Sequence, residues 1–170
     1  MYLFRLGLAA VLSLCLLPAQ AQDLALPDLV GPVILTVTGL DPQAFAGGSV
    51  ALDIGRLRAI GTDEIVTSSI WTEGTHRYKG VMLRDLVDFL DIGPFILRFH
   101  ALNDYAVEVP AGQATEAAPI LAYELDGTAM TVRDKGPIWV MYPFDDGAEY
   151  RTDTLYSRSI WQLDRIDVLR

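Results

Sequence analysis

Ile65-Val66-Thr67-Ser68-Ser69-Ile70-Trp71 is the stretch from which the fold can be read outward. Its branched residues and its exit toward Gly74 predict a strand that ends in a turn. Downstream, Tyr78-Lys79-Gly80-Val81 leads into Leu83, Leu86, Val87 and Leu90, apolar at helical spacing, with Arg84, Asp85 and Asp88 opposite them. Gly93-Pro94 ends that helix, which should lie on the sheet. Phe95, Leu97, Phe99 and Ala101 then alternate with residues that include Arg98 and His100, the pattern of a strand with one face inward, and Tyr105, Val107 and Val109 repeat it.

Before this stretch, Val33 to Thr38 reads as a strand ended by Gly39, with Val50 to Leu52 beside it. Asp53 is placed to cap a short helix to Ile60, and Gly61 to stop it. After it, Ile120–Tyr123 and Thr128–Val132 flank Asp126-Gly127, a dipeptide suited to the positive backbone angles of a tight hairpin. Ile138 to Tyr142 is a further strand closed by Pro143, and Ile160 to Val168 the last. Many strands and few, short helices predict an α+β, mainly β domain with mixed sheets. The helical segments are too few for a doubly wound parallel sheet.

The beginning of the chain is organised differently. Arg5, an apolar run from Leu6 to Leu17 and then Pro18-Ala19-Gln20-Ala21 have the layout of a secretory signal peptide cleaved after Ala21. The run is shorter than the roughly 20 apolar residues of a membrane span, so no membrane insertion is expected. The only cysteine, Cys15, lies within it, after a Leu14 too bulky for a lipoprotein signal. Residues 22–32, with Pro27 and Pro32, read as a tether, and residues 33–170 as one domain. Taking 21 residues from 170 leaves 149, enough to bury a core. A periplasmic or secreted protein without cysteine must be stabilised by packing rather than disulfides. The charges are 13 basic and 22 acidic; without Arg5 the balance is 12 against 22, or −10. Such acidity argues against nucleic acid or an anionic membrane as the partner.

The order Trp71-Thr72, Tyr78-x-Gly80-Val81-x-Leu83-x-Asp85-Leu86, Asn103-Asp104-Tyr105, Asp126-Gly127, Gly136-Pro137-Ile138-Trp139 and Ser157-Arg158-Ser159-Ile160-Trp161 resembles the molybdopterin-binding domain of sulfite-oxidase-like oxidoreductases. The resemblance covers nearly the whole mature chain and rests on the order of motifs that are individually weak. In that family a cysteine thiolate roughly a dozen residues before the Gly-Val pair ligates molybdenum. The count falls here near Ser68 or Ser69, and a hard serine oxygen does not replace a soft thiolate. Molybdenum and redox catalysis are therefore not expected, while a pocket for an organic pterin is. Some small, cysteine-lacking proteins that look like this one bind reduced, tetrahydropterin-like pterins. They control a membrane-bound cyclic-di-nucleotide (cyclic-di-GMP) enzyme through its periplasmic domain. The resemblance thus implies a pterin ligand, a periplasmic signalling partner at the inner membrane and a ligand set of Trp71, Thr72, Asn103, Asp104, Tyr105, Tyr156, Ser157, Arg158 and Ser159. The alternative is a small molybdopterin-dependent oxidoreductase, or its subunit, with an oxygen ligand or a partner's thiol.

The chemistry of these residues suits a flat heterocycle. Trp71 and Tyr105 can stack on it, Asn103 and Asp104 can pair with its nitrogens, and Arg158, in an expected loop, can take a phosphate or polyol tail. Each also has an ordinary reading: core aromatic, strand residue, solvated charge. His76, Arg77 and Lys79 form a basic cluster beside Trp71, open to reading as an exposed turn or an anion site. Arg133 and Lys135 pose the same choice. His100 reads as structural, and Asp145-Asp146-Gly147 with Glu149 as a solvated acidic loop. Nucleophile elbows, phosphate loops and flavin fingerprints are missing from the sequence.

Overall fold

The computed structural model describes residues 26–116 and 118–170. The signal-peptide expectation for residues 1–21, Cys15 included, lies outside them. Among the described residues, ten strands and four α-helices follow in the order β1 (Leu35–Thr38), β2 (Ser49–Leu52), α1 (Ile54–Ile60), β3 (Asp63–Ser69), β4 (Thr72–Met82), α2 (Leu83–Phe89), β5 (Ile96–Ala101), β6 (Ala106–Pro110), α3 (Ala111–Glu116), β7 (Ile120–Leu125), β8 (Thr128–Ala129), β9 (Trp139–Met141), α4 (Asp153–Arg158) and β10 (Leu163–Leu169). The α+β, mainly β class holds. Among the described residues no helix is long and apolar enough to cross a membrane.

The strands make two sheets. One runs β2-β1-β10-β5-β6, with β1 parallel to β10 and the other neighbours antiparallel. The other runs β3-β4-β7-β8, with β9 also on β7. An isolated bridge between Trp139 and Trp161 links the second sheet to the segment entering β10. Alternation places Leu97, Phe99 and Ala101 inward on β5, as their spacing predicts. By contrast Ile120–Tyr123 and Ile138–Tyr142 are buried at every position, which is why they read as unbroken apolar runs. One buried cluster takes side chains from both sheets and from Leu57, Leu86 and Leu155 of α1, α2 and α4.

Local chemistry explains the elements. Asp53 caps α1 by accepting from the Arg56 N–H, and the Gly61 N–H closes it on the Leu57 carbonyl. The same carboxylate accepts from the N–H groups of Val30 and Gly31, so part of the stretch 22–32 is tied to α1. Asp126 and Gly127 have φ of 49° and 79°, the hairpin geometry expected of them.

Several boundaries differ from the sequence reading. The β3–β4 reversal falls at Ile70–Trp71, not at Gly74, which lies inside β4 with φ 76°. The serine and threonine hydroxyls around the reversal close it: Ser69 Oγ and Thr72 Oγ1 are 2.7 Å apart, and the Trp71 N–H donates to Ser69 Oγ. The second hairpin arm stops at Ala129, because Val132–Asp134 turns into a 3₁₀ helix. Strand β1 starts at Leu35 rather than Val33, and β10 at Leu163 rather than Ile160. Arg158 ends a helix, not a loop: Thr152 accepts from the Leu155 N–H and starts α4.

Candidate functional site

A cavity of about 300 Å³ opens where the β3–β4 turn, the β5–β6 connection and the end of α4 meet. Trp71 enters from the first, Ala101, Asn103 and Tyr105 from the second, and Tyr156, Ser157, Ser159, Ile160 and Trp161 from the third. Residues separated by as much as 90 positions in the chain are thus brought to one cavity by the fold.

Trp71 is half-buried and wedged among aromatic rings. Its centroid lies 5.9 Å from Trp139, 5.8 Å from Tyr156 and 6.1 Å from Trp161, all edge-on, with Phe144 at 6.2 Å. It is therefore a packing residue and a cavity residue at once. Below it Tyr78 is fully buried, and burial raises the pKa of its phenol.

The opposite wall is built by a short polar turn. Asn103 Oδ1 accepts from the Tyr105 N–H at 3.2 Å, and Asp104 takes the left-handed conformation with φ 65°. This turn presents Tyr105, 47% exposed, whose hydroxyl donates to the Ser157 carbonyl at 3.1 Å. Trp161 is also open, at 36%. The serine hydroxyls are occupied by their own helix: Ser157 Oγ donates to the Thr154 carbonyl and Ser159 Oγ to the Leu155 carbonyl. The Ser159 carbonyl accepts from Trp139 Nε1 at 3.2 Å.

Of the nine residues in the expected ligand set, Trp71, Asn103, Tyr105, Tyr156, Ser157 and Ser159 line this cavity. Thr72 does not; its hydroxyl faces Ser69 and, at 3.4 Å, the Tyr78 hydroxyl. Asp104 is exposed on the turn, outside the lining. Arg158 lines a separate, open groove with Gln113, Thr152 and Thr154, its guanidinium 3.4 Å and 3.5 Å from Gln113 Oε1. Ala101, Ile160 and Trp161 line the cavity without having been assigned to it from sequence, although Ile160 and Trp161 close the Ser157-Arg158-Ser159-Ile160-Trp161 motif.

The basic cluster proves to be strand, not turn: His76 pairs with Asp126 and Arg77 with Glu64. His100 is paired with Asp167 across β5 and β10 at 2.8 Å. The Asp145-Asp146 loop is exposed, as expected, but Asp145 is also a structural tie. It accepts from the Ser68 N–H at 2.6 Å, from Ser68 Oγ at 2.7 Å and from Arg151 at 2.6 Å, and these donors hold its carboxyl below the ordinary range.

Neither a family model nor a curated protein matches the sequence. The fold is similar to that of the sulfane dehydrogenase SoxCD from Paracoccus pantotrophus. The TM-score is 0.53 at 14% identity, over 79% of this chain. The match spans 37% of the SoxCD chain, so the relationship is one of fold, and a distant one.

Two implied groups can be tested against the residues. A cavity near the small end of ligand pockets, walled by indole and phenol rings with an amide at its rim, fits one flat ring system. The Asn103 amide N–H groups can serve such a ring as donors, and Tyr105 and Trp161 offer exposed faces. A molybdenum ligand at Ser68 or Ser69 does not fit, because Ser68 Oγ is held by Asp145 and Ser69 Oγ by Thr72.

Proposed function

We propose that this protein binds a reduced, tetrahydropterin-like pterin in the Trp71 cavity without redox catalysis. On this reading it is exported, periplasmic or secreted, and reports its ligand to the periplasmic domain of an inner-membrane enzyme of cyclic-di-nucleotide signalling. The observation that carries the reading is the cavity itself: Trp71 at its base, Tyr105 and Trp161 exposed on its walls and Asn103 at its rim. Rings of this kind stack on a bicyclic heterocycle while the amide selects its orientation. Signalling further requires that loaded and empty forms differ in affinity for the partner, since a ligand shifts an equilibrium only by its differential binding.

Calorimetry of the purified protein with tetrahydropterins tests the first half. A saturable heat is expected, and Tyr105→Ala should weaken binding about tenfold, the equivalent of roughly 1.4 kcal/mol for one lost stacking face. Tyr105 is the better probe than Trp71 because its ring is exposed and its removal leaves the core intact. No heat with any tetrahydropterin from a folded sample defeats the reading.

The likeness to a sulfane dehydrogenase favours a second reading, a small molybdopterin oxidoreductase or its subunit. Metal analysis after native purification separates the two, and stoichiometric molybdenum would favour the enzyme.

A further inference from the structure

His76 lies on β4, five residues beyond Trp71, and both of its ring nitrogens face acceptors. Nδ1 is 2.7 Å from Asp126 Oδ2, and Nε2 is 2.8 Å from the carbonyl oxygen of Glu73. A carbonyl oxygen only accepts, and so does an ionised carboxylate. Asp126 is held ionised: the Arg77 N–H, donating to Oδ1 at 2.9 Å, and then His76 itself keep its carboxyl below the ordinary range. A neutral imidazole has one N–H and would turn a lone pair on one of these two oxygens. Both contacts are hydrogen bonds only when the ring is the doubly protonated cation.

The two acceptors belong to different parts of the fold. Glu73 follows Trp71-Thr72 directly, whereas Asp126 sits in the β7–β8 turn. We propose that protonated His76 is a latch that fastens the Trp71 turn to the β7–β8 turn, and that loss of its proton frees the Glu73 peptide and shifts Trp71 in the cavity. On deprotonation the Nε2 proton passes to water, Nδ1–H stays on the charged acceptor Asp126, and the bare Nε2 lone pair faces the Glu73 oxygen. That contact becomes repulsive. The next residue, Gly74, has φ 76° and open space where a side chain would stand, so the peptide beside it has room to rotate. A chain of rings also joins latch to cavity: His76 to Tyr78 at 6.4 Å, Tyr78 to Trp139 at 5.6 Å and Trp139 to Trp71 at 5.9 Å.

The surroundings leave Asp126 as the carboxylate bonded to the ring. On β4 itself the neighbours are the Glu73 carbonyl and the Tyr78 ring, and the Arg77 guanidinium reaches away to Glu64 of β3. From β3 the register partner is Thr67, uncharged, whose hydroxyl serves Asp145 and Ser68. The Asp126 hydrogen bond accordingly raises the pKa of His76 above the ordinary 6.5, against a smaller opposing effect of burial. The sign follows: the latch is closed below 6.5 and opens as pH rises through the raised folded value.

An NMR pH titration of the ligand-free protein tests this, and its outcome is independent of whether pterins bind. The sequence has two histidines and three tryptophans, so His76→Gln and Trp71→Phe suffice to assign the His76 ring and Trp71 indole signals. His76 should titrate above 6.5, and the Trp71 indole N–H should shift with the same midpoint. In Asp126→Asn both midpoints should fall together toward 6.5, and in His76→Gln the Trp71 signal should lose that transition. A His76 midpoint at or below 6.5, or a Trp71 signal that does not follow it in the native protein and in Asp126→Asn, overturns the proposal.

Discussion

Replacing Gly80 by alanine should cost more than any exposed substitution in the chain, for a reason visible in the β4–β7 pairing. A Cβ built at Gly80 would stand 2.0 Å from the Leu121 carbonyl oxygen, 2.6 Å from its carbon and 2.7 Å from the Ala122 Cα. All three atoms are backbone of β7, so no side chain can swing aside. Restoring an ordinary 3.4 Å contact requires the strands to part locally by about 1.4 Å, which stretches ladder bonds of roughly 2.9 Å past hydrogen-bonding distance. Two such bonds left unsatisfied in a buried strand cost about 2–5 kcal/mol in total. That is a large part of the roughly 5–15 kcal/mol by which a domain is stable. In urea, with a slope of about 2 kcal/mol per molar, the unfolding midpoint should fall by about 1–2.5 M at unchanged slope. Gly112→Ala, at an exposed position of α3 where a Cβ meets nothing within 4 Å, is the control and should stabilise by up to about 1 kcal/mol. A Gly80→Ala protein within about 0.5 kcal/mol of the native one would refute the steric reasoning.

Other outcomes follow from single groups. The Tyr142 hydroxyl is buried without a hydrogen-bond partner among the described residues, and burial pushes its pKa well up, so Tyr142→Phe should be neutral or stabilising by up to about 1–2 kcal/mol, measured by thermal unfolding. Asp53 accepts from the N–H groups of Arg56, Gly31 and Val30, and these donors depress its pKa below 3.8. Its contribution is therefore present above 3.8 and lost as pH falls through the lower folded value; Asp53→Asn should flatten the acid limb of melting temperature against pH. Because Arg158 faces the Gln113 groove rather than the cavity, Arg158→Ala should weaken a bound pterin less than Tyr105→Ala does, by calorimetry.

Much of the architecture was legible because burial leaves a period. The inward face of β5, the buried Leu83, Leu86 and Val87 of α2, the Asp53 cap and the Asp126-Gly127 turn all follow from local pattern. What local pattern does not show is set by long-range partners. Gly74 looked like a hairpin turn, yet the reversal is closed by hydroxyls of Ser69 and Thr72 at Ile70–Trp71. Asp145 is exposed as its composition suggests, but its tie to Ser68, 77 residues away, leaves no local pattern. The site divides in the same way. Six expected residues converge because the β5–β6 turn and the end of α4 are pinned together by the bond from Tyr105 to Ser157. Arg158 departs because one more residue along the helix points to another face, a consequence of α4 being helix where a loop had been expected.

Trp71 and Tyr105 differ in how firmly they are held, and that difference bears on how a bound ring would be sensed. Three rings meet the Trp71 indole edge-on and Phe144 meets it tilted, so its orientation is set before any ligand arrives and little conformational freedom remains to be lost on binding. Such a group supplies affinity but, held fixed, little signal. Tyr105 is exposed and restrained at its tip by one hydrogen bond, to a carbonyl at the end of α4. A ring entering between them must either preserve that bond or displace the phenol, and the second course repositions an exposed side chain at the rim. On the proposed reading a partner can respond only to a surface that differs between the empty and loaded forms, and the Tyr105–Ser157 bridge is then the part of the cavity through which occupancy would reach the outside. Trp71 acquires a comparable role only when the His76 latch opens and the turn that carries it is free to move.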